Sequence, residues 1–170
     1  MRRTAIVSAA LLMALLCGCG GRKEVTAGSI NFTFSCSTDV SSPQGAVSYA
    51  VNRSGAAGTS LEVMSGTSKG LCWYWDGEGF SATYKGLAVK SGECVLPRSS
   101  PAAVLVSALS AAEKDGGLTR DGSGAFCGST EDGLDFTVTA DAETYNIKTV
   151  SVPDCGIKAD FYNYKTQSSA

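Results

Sequence analysis

The sequence contains no histidine, which removes the commonest general base and the commonest zinc ligand of proteins. A catalytic site would therefore need carboxylate, serine–lysine, cysteine or tyrosine chemistry. The chain has no serine–lysine pair with penicillin-binding-protein spacing and no phosphate-binding glycine loop. Its one GxSxG string, Gly66-Thr67-Ser68-Lys69-Gly70, lies in a turn between two predicted strands and not at the strand-to-helix elbow that the motif requires. We therefore expect a protein that is not an enzyme and that uses no metal or other cofactor.

Clustered positive charge is also missing. The chain has 14 Lys and Arg residues against 16 Asp and Glu residues, a net charge of -2, and its cations form no stripe. Nucleic acid binding needs such a stripe to neutralise phosphates, so nucleic acid is not an expected partner. Prolines are few (4) whereas glycines are many (20), a composition that suits tight turns between strands.

Long hydrophobic runs are absent except near the start. Arg2 and Arg3 precede an apolar run over residues 5–16, which has the length of a signal-peptide core and is too short to span a ~30 Å hydrocarbon layer. An ordinary cleaved secretory signal is one interpretation of this segment.

The sequence Leu16-Cys17-Gly18-Cys19 favours a second interpretation, because it resembles a bacterial lipobox. Cys19 fits the pattern, with leucine three positions before it and a small residue directly before it, whereas Cys17 follows the bulky Leu16. The resemblance implies a signal peptide over residues 1–18 and acylation of Cys19 by fatty acids such as palmitate. The mature chain would then be anchored to the extracytoplasmic face of the cell membrane.

Five cysteines remain if Cys17 leaves with the signal peptide and Cys19 carries lipid. An odd number leaves at least one unpaired, and the absence of a CxxC motif excludes a thioredoxin-like pair or a zinc ribbon. The predicted disulfides are Cys72 with Cys94 and Cys127 with Cys155. Buried, reduced thiols, including Cys36, are the alternative.

The mature chain divides into a polar tether over residues 19–28, a single domain over 29–165 and a polar tail over 166–170. Apolar and polar residues alternate with the period of half-buried strands in nine segments of the domain, sometimes only briefly. These segments are residues 30–36, 46–51, 59–63, 71–75, 80–84, 125–127, 134–140, 145–149 and 157–162.

One helix is predicted over residues 101–114. Ser100 is a suitable N-cap, Pro101 takes the first helical position, and apolar residues recur at helical spacing up to the stop at Gly116-Gly117. Strands with one apolar and one polar face, combined with a single helix, predict an α+β fold. In it an antiparallel sheet has one side in water and the other against the helix.

The densest aromatic patch is Trp73-Tyr74-Trp75, in which strand alternation places both indoles on one face and Tyr74 on the other. If the inner face lines a groove, these indoles suit an apolar ligand. The candidate ligand-binding residues are Trp73, Trp75, Phe34, Leu105 and Leu109. The alternative is that they fill the core, and a carboxylate hydrolase using acids such as Glu131 and Asp132 is a minor third hypothesis.

Taken together, these elements resemble the LolA/LolB/LppX-like lipoprotein superfamily. The resemblance is carried by the opening strand 30–36, the second strand led by Gly45, the hairpin 73–80, the segment 96–100 entering the helix, and the ending 157–164. It implies an unclosed half-barrel, a curved antiparallel sheet wrapped around a helix and lined by apolar side chains. Members bind lipid or acyl chains or serve as docking scaffolds, and a germination lipoprotein that assists a clostridial cortex amidase is a similar case.

The resulting expectation is a non-enzymatic lipoprotein that binds an apolar or lipid ligand in the half-barrel groove. The alternative is a docking or activator lipoprotein for a cell-envelope enzyme or transporter. The expected partners are the membrane, through the lipid anchor, and either an apolar molecule or an envelope protein. The cysteine content and the thin helical layer suggest a monoderm, Firmicutes-like host. An apolar cavity above ~300 Å³ beneath the helix favours the ligand, and a filled space favours docking.

Overall fold

The computed structural model describes residues 25–55 and 58–165. The predicted signal peptide, Cys19, most of the tether and the polar tail lie outside the described residues. The strands are β1 Thr33–Ser42, β2 Gly45–Ser54, β3 Thr59–Val63, β4 Cys72–Trp75, β5 Phe80–Tyr84, β6 Leu87–Cys94, β7 Thr119–Arg120, β8 Phe126–Ser129, β9 Asp135–Ala140, β10 Ile147–Val152 and β11 Ile157–Tyr162. Helix α1, Pro101–Glu113, lies between β6 and β7 in the chain, and short 3-10 helices occupy Ala27–Ser29 and Pro153–Cys155.

Within this part of the chain, the eleven strands form one sheet in the order β6-β5-β4-β3-β2-β1-β11-β10-β9-β8-β7. Strand β1 pairs with both β2 and β11, so the sheet has two arms that meet there: a first arm of β1 to β6 and a second arm of β7 to β11. Every pairing is antiparallel, and the edge strands β6 and β7 do not pair with each other. The predicted α+β architecture, an unclosed antiparallel sheet around a helix, is confirmed.

The core lies between the inner face of the sheet and α1. Alternation along β1 directs Phe34, Cys36, Thr38 and Val40 inward, and all four are buried. From the helix side Leu105 is fully buried and packs into the same cluster. Because burying a leucine side chain contributes about 1.5–3 kcal/mol, this inner face is the main source of stability.

Helix α1 begins and ends close to the predicted positions, with Ser100 as N-cap residue and Pro101 in the first turn. Eight of its residues are buried: Ala102, Val104, Leu105, Val106, Ala108, Leu109, Ala111 and Ala112. A helix that is apolar on most sides belongs inside a protein, here between two arms of a sheet. Only Pro101 and a stripe that includes Ala103, Ser107 and Ser110 are partly exposed.

Strand β6 was not predicted, because its sequence lacks a buried face. Almost every side chain along it is exposed, and Leu87 is 75% exposed. It pairs with β5 through the tight turn Lys85-Gly86, where both residues have positive φ (50° and 84°), as short hairpin turns require. Only this turn and the pairing with β5 make the segment a strand.

The prediction that Tyr145, Ile147 and Thr149 alternate on one face of a strand is wrong for β10. The register shifts between Ile147 and Thr149, so that Val150 and Val152 point inward with Ile147. Thr149 points outward instead, where its hydroxyl bonds that of Thr139 at 2.6 Å.

The predicted tether, residues 19–28, includes Val25. In the structure Val25 is 8% exposed and belongs to the core cluster, so this residue packs against the domain.

The two predicted disulfides are not present, and all five described cysteines are free. Cys72 on β4 and Cys94 on β6 are separated by β5, and two strand spacings of ~4.8 Å exceed the Cα separation that a disulfide allows. Cys127 on β8 lies two strands from β10, after which Cys155 follows in a 3-10 helix. The free cysteines agree with the alternative interpretation, reduced thiols. Burial raises the pKa of the Cys36 thiol to about 12.

The turn between β9 and β10 makes one pH-dependent prediction. Asp141 bonds the Lys148 ammonium at 2.9 Å and accepts the backbone N–H groups of Glu143 and Thr144, which together hold its pKa well below the usual range. A depressed folded-state pKa stabilises the fold above the unfolded-state pKa, near ~3.9, and this contribution is lost as pH falls. We expect Asp141→Asn to lower the melting temperature at neutral pH and to lessen its decline below about pH 4.

Circular dichroism melts across the acid range test this expectation. Asp154→Asn, at an exposed aspartate in the 3-10 helix after β10, is the control and should keep the wild-type slope. An Asp141→Asn variant whose melting temperature follows the wild-type acid decline would contradict the assignment.

Candidate functional site

A cavity of about 490 Å³ lies between α1 and the two arms of the sheet. Its volume falls within the range of ~300–1,000 Å³ that is typical of small-molecule sites. Apolar groups line it from the first arm, the segment entering α1, the helix itself and the turn before β9: Trp75, Phe80, Leu96, Ala103, Val106, Ala111 and Leu134. The cavity borders the partly exposed stripe of α1, whereas the opposite side of the helix is packed against the sheet by core side chains such as Leu105 and Leu109.

The aromatic wall is built by the β4–β5 hairpin. Trp75 and Phe80 are directly paired across the two strands, and their ring centroids are 5.0 Å apart at a tilt of 52°. Such a cross-strand aromatic pair stabilises a hairpin and holds both rings in place. The first arm thus presents a rigid apolar surface to the partly exposed stripe of α1.

Two exposed ion pairs lie at the rim of the cavity. Arg98, just before α1, is 3.5 Å from the Asp132 carboxylate, and Lys114, just after α1, pairs with Glu131. The turn between β8 and β9 is thereby tied to both ends of the helix, and Lys114 lowers the pKa of Glu131. Solvent screens exposed pairs, which therefore contribute little to stability, so this rim can open at little cost.

A buried ion pair holds the C-terminal end of α1 to β2. Arg53 is 1% exposed and donates hydrogen bonds to Glu113 Oε2 (2.7 Å), Thr59 Oγ1 (2.6 Å) and the Leu109 carbonyl (3.4 Å). Burial lowers the pKa of Arg53, while Glu113 opposes that shift. Gly55 makes room for the pair, since a Cβ on its positive-φ backbone would lie 2.8 Å from Glu113 Oε1.

The predicted ligand-binding residues separate into two groups. Trp75 lines the cavity, whereas Trp73 is partly buried and packs against the core, opposite Leu61 of β3. Phe34, Leu105 and Leu109 are fully or almost fully buried and belong to the core cluster instead of the cavity wall. Tyr74 is 45% exposed, so the predicted division of the triplet between two faces is confirmed.

Several cavity residues were not predicted. Phe80, Leu96 and Leu134 lie in three separate segments of the sequence, and only the three-dimensional structure brings them to one cavity beside α1. Arg53 did carry a sequence signal, because it follows Tyr49 and Val51 at two-residue spacing and so occupies an inward position.

Two further observations concern the described residues only. No three His, Cys, Asp or Glu side chains among them are grouped so that they could hold a metal ion. None of the helices in residues 25–55 and 58–165 is long and apolar enough to cross a bilayer.

Comparison with known proteins gave a structural likeness only. No family model matches the sequence, and no curated protein matches it. The fold is similar to that of a LolA superfamily protein from Nitrosomonas europaea. The two share 7% identity at a TM-score of 0.43, over 88% of this chain and 93% of that one.

Proposed function

We propose that this protein is a non-enzymatic binding module that holds an apolar or amphiphilic ligand in the cavity between α1 and the two arms. The observation that carries the proposal is the 490 Å³ space with walls of Trp75, Phe80, Leu96 and Leu134. Apolar walls around water are unfavourable, and a ligand tail that displaces the water gains about 25 cal/mol per Å² of apolar area buried.

The location we propose follows from the sequence before Val25. The lipobox-like segment ending at Cys19 supports acylation and an anchor at the extracytoplasmic face of the cell membrane. Two or three acyl chains on one cysteine would hold the protein firmly, whereas one chain binds only marginally. We place the protein in the cell envelope of a Firmicutes-like bacterium.

Docking to a cell-envelope enzyme or transporter is the second candidate function, and one observation favours it. Edge strand β6 exposes its outer backbone groups together with Leu87 and Val89, and Val95 just beyond it is 87% exposed. An uncovered edge can accept a strand from another protein. The cavity favours the ligand-binding proposal over this one, and an empty, inert cavity would leave docking as the better explanation.

The proposal predicts that Trp75→Ala weakens binding of an apolar fluorescent probe, N-phenylnaphthylamine, by about tenfold or more. Removing the indole takes away a wall of the cavity, and each ~1.4 kcal/mol of lost contact energy is a factor of ten in affinity. The measurement is a fluorescence titration of the mature chain, residues 19–170 with Cys19→Ser, made without the predicted signal peptide and purified without detergent. Native mass spectrometry and lipid extraction of the same sample report any ligand that co-purifies.

Tyr74→Ala is the matched control, since Tyr74 is the adjacent aromatic residue on the outer face of the same strand. We expect it to bind the probe like the unchanged protein. No probe binding and no co-purified lipid in the unchanged protein would overturn the proposed function.

A further inference from the structure

Lysines without ion-pair partners are concentrated at one end of the first arm. Most cations of the described residues have a carboxylate partner: Arg53, Arg98, Lys114, Lys148 and Lys158. Lys69, Lys85 and Lys90 have no such partner among those residues, and all three are exposed. Their positive charge is therefore free to attract an anionic partner.

Two of these lysines lie in turns that contact each other. Lys69 is in the turn between β3 and β4, and Lys85 is in the two-residue turn between β5 and β6. Tyr84 joins the turns, because its hydroxyl donates a hydrogen bond to the Thr67 carbonyl at 3.1 Å. Lys85 Nζ in turn lies 5.0 Å from the centre of the Tyr84 ring. The two turns thus form one continuous surface.

The basic tip, which we define as residues 64–70 and 84–90, also exposes apolar side chains. Met64 is 44% exposed, Val89 is 42% exposed and Leu87 is 75% exposed. Neither range contains an aspartate or a glutamate. Lysines beside exposed aliphatic groups suit the interface of an anionic bilayer, where the cations meet phosphate groups and the aliphatic groups leave water.

The carboxylates of the first arm lie mostly away from the basic tip. Asp76 and Glu78 are in the turn at the opposite end of the β4–β5 hairpin, and Glu93 lies beyond the register shift in the β5–β6 pairing. Glu62 on β3 is the one carboxylate within two residues of the tip in the sequence. The tip is therefore positive although the whole chain has a net charge of -2.

The proposed anchor is long enough to let the basic tip reach the same membrane. Strand pairing through β2 puts the start of β3 beside the start of β1. Strand β3 has five residues, so the tip lies about 17 Å further along the sheet. Residues 19–24, which precede the packed Val25, can span about 20 Å. A domain lying on its side can therefore touch the bilayer with its basic tip.

We propose that the basic tip binds the surface of an anionic lipid bilayer, with Lys69 and Lys85 at phosphate groups and Leu87 in the interfacial layer. A contact with so few charges is weak by itself, but the anchor would keep the tip at a high local concentration near the surface. No residue of the tip lines the cavity. The inference therefore goes beyond ligand binding and does not depend on it.

The test is co-sedimentation of the mature chain, residues 19–170 with Cys19→Ser, with lipid vesicles. Vesicles of equal parts phosphatidylglycerol and phosphatidylcholine should bind it at about 50 mM NaCl, and pure phosphatidylcholine vesicles should bind at least about tenfold less. Lys69→Ala/Lys85→Ala should lower partitioning onto the anionic vesicles about 25-fold, since one cation near such a surface contributes a factor of about five. Leu87→Ala should lower it about fivefold.

Lys148→Ala/Lys158→Ala is the matched control, because it removes two cations from the second arm and changes the net charge equally. Equal binding to both kinds of vesicle, no binding to the anionic vesicles, or an equal loss in the control would overturn the proposal. Competition by dissolved glycerol 3-phosphate would also overturn it, in favour of a site for a free phosphate ester.

Titration with N-phenylnaphthylamine keeps this proposal distinguishable from the proposed function. Lys69→Ala/Lys85→Ala should bind the probe like the unchanged protein, because neither lysine borders the cavity. Loss of vesicle binding with normal probe binding supports the basic tip as a separate surface. Loss of probe binding in the same variant would overturn that separation.

Discussion

Glu113→Ala should lower the free energy of unfolding by about 3–5 kcal/mol, the loss seen when one partner of a buried ion pair is removed. The reason is the environment of Arg53, whose side chain is 0% exposed and whose Nε already lacks a hydrogen-bond partner among the described residues. Without Glu113, the buried guanidinium keeps only Thr59 and the Leu109 carbonyl as acceptors, and neither is charged. Chemical denaturation of the purified variant measures the change.

The double variant Arg53→Met/Glu113→Ala removes both charges and should recover most of that loss, since an apolar side chain can occupy the buried position without an unpaired charge. Lys158→Ala is the control, because it removes an exposed partner of Asp160 and should cost at most about 1 kcal/mol. A loss below ~1 kcal/mol for Glu113→Ala would show that the pair does not hold the helix to β2.

Leu105→Ala should lower the free energy of unfolding by about 2–5 kcal/mol without a comparable loss of ligand affinity. Leu105 is 0% exposed and packs in the core on the side of α1 away from the cavity residues. Truncation leaves a void that the surrounding core can only partly close. Denaturation and probe titration of the same sample separate stability from binding, with affinity measured below the onset of unfolding.

Leu87→Ala gives the comparison, because Leu87 is 75% exposed on edge strand β6 and should change stability by no more than about 0.5 kcal/mol. A Leu105→Ala variant that remains as stable as the unchanged protein but no longer binds the probe would return Leu105 to the ligand site, where the sequence alone had placed it.

The contrast between Trp75 and Leu105 shows how far sequence reasoning reached. Both were correctly predicted to face the inside of the fold, since alternation in a strand and helical spacing in α1 specify which side of an element is apolar. Neither pattern distinguishes a wall of packed core from a wall of a cavity. That distinction depends on how closely the opposite element approaches.

Where the prediction of a single strand differs from the structure, the cause is also local. The bulge at Lys148 changes the face of every later residue in β10, and one inserted residue in an alternating pattern leaves little trace in the sequence. Strand β6 has no buried face to generate alternation, so only its pairing with β5 defines it. The pairing of cysteines was predicted from spacing, which takes no account of the strand that separates them.

The order of apolar and polar residues by itself determined that the described chain would form an antiparallel sheet with a single α-helix, because each element's periodicity states which of its faces must be covered. Only the tertiary structure decided that the two arms meet at β1 and β11, that Arg53 lies beneath Glu113, and that a space remains between Trp75 and Leu134. These features join residues far apart in the chain, and the distance between two packed elements depends on all the side chains between them.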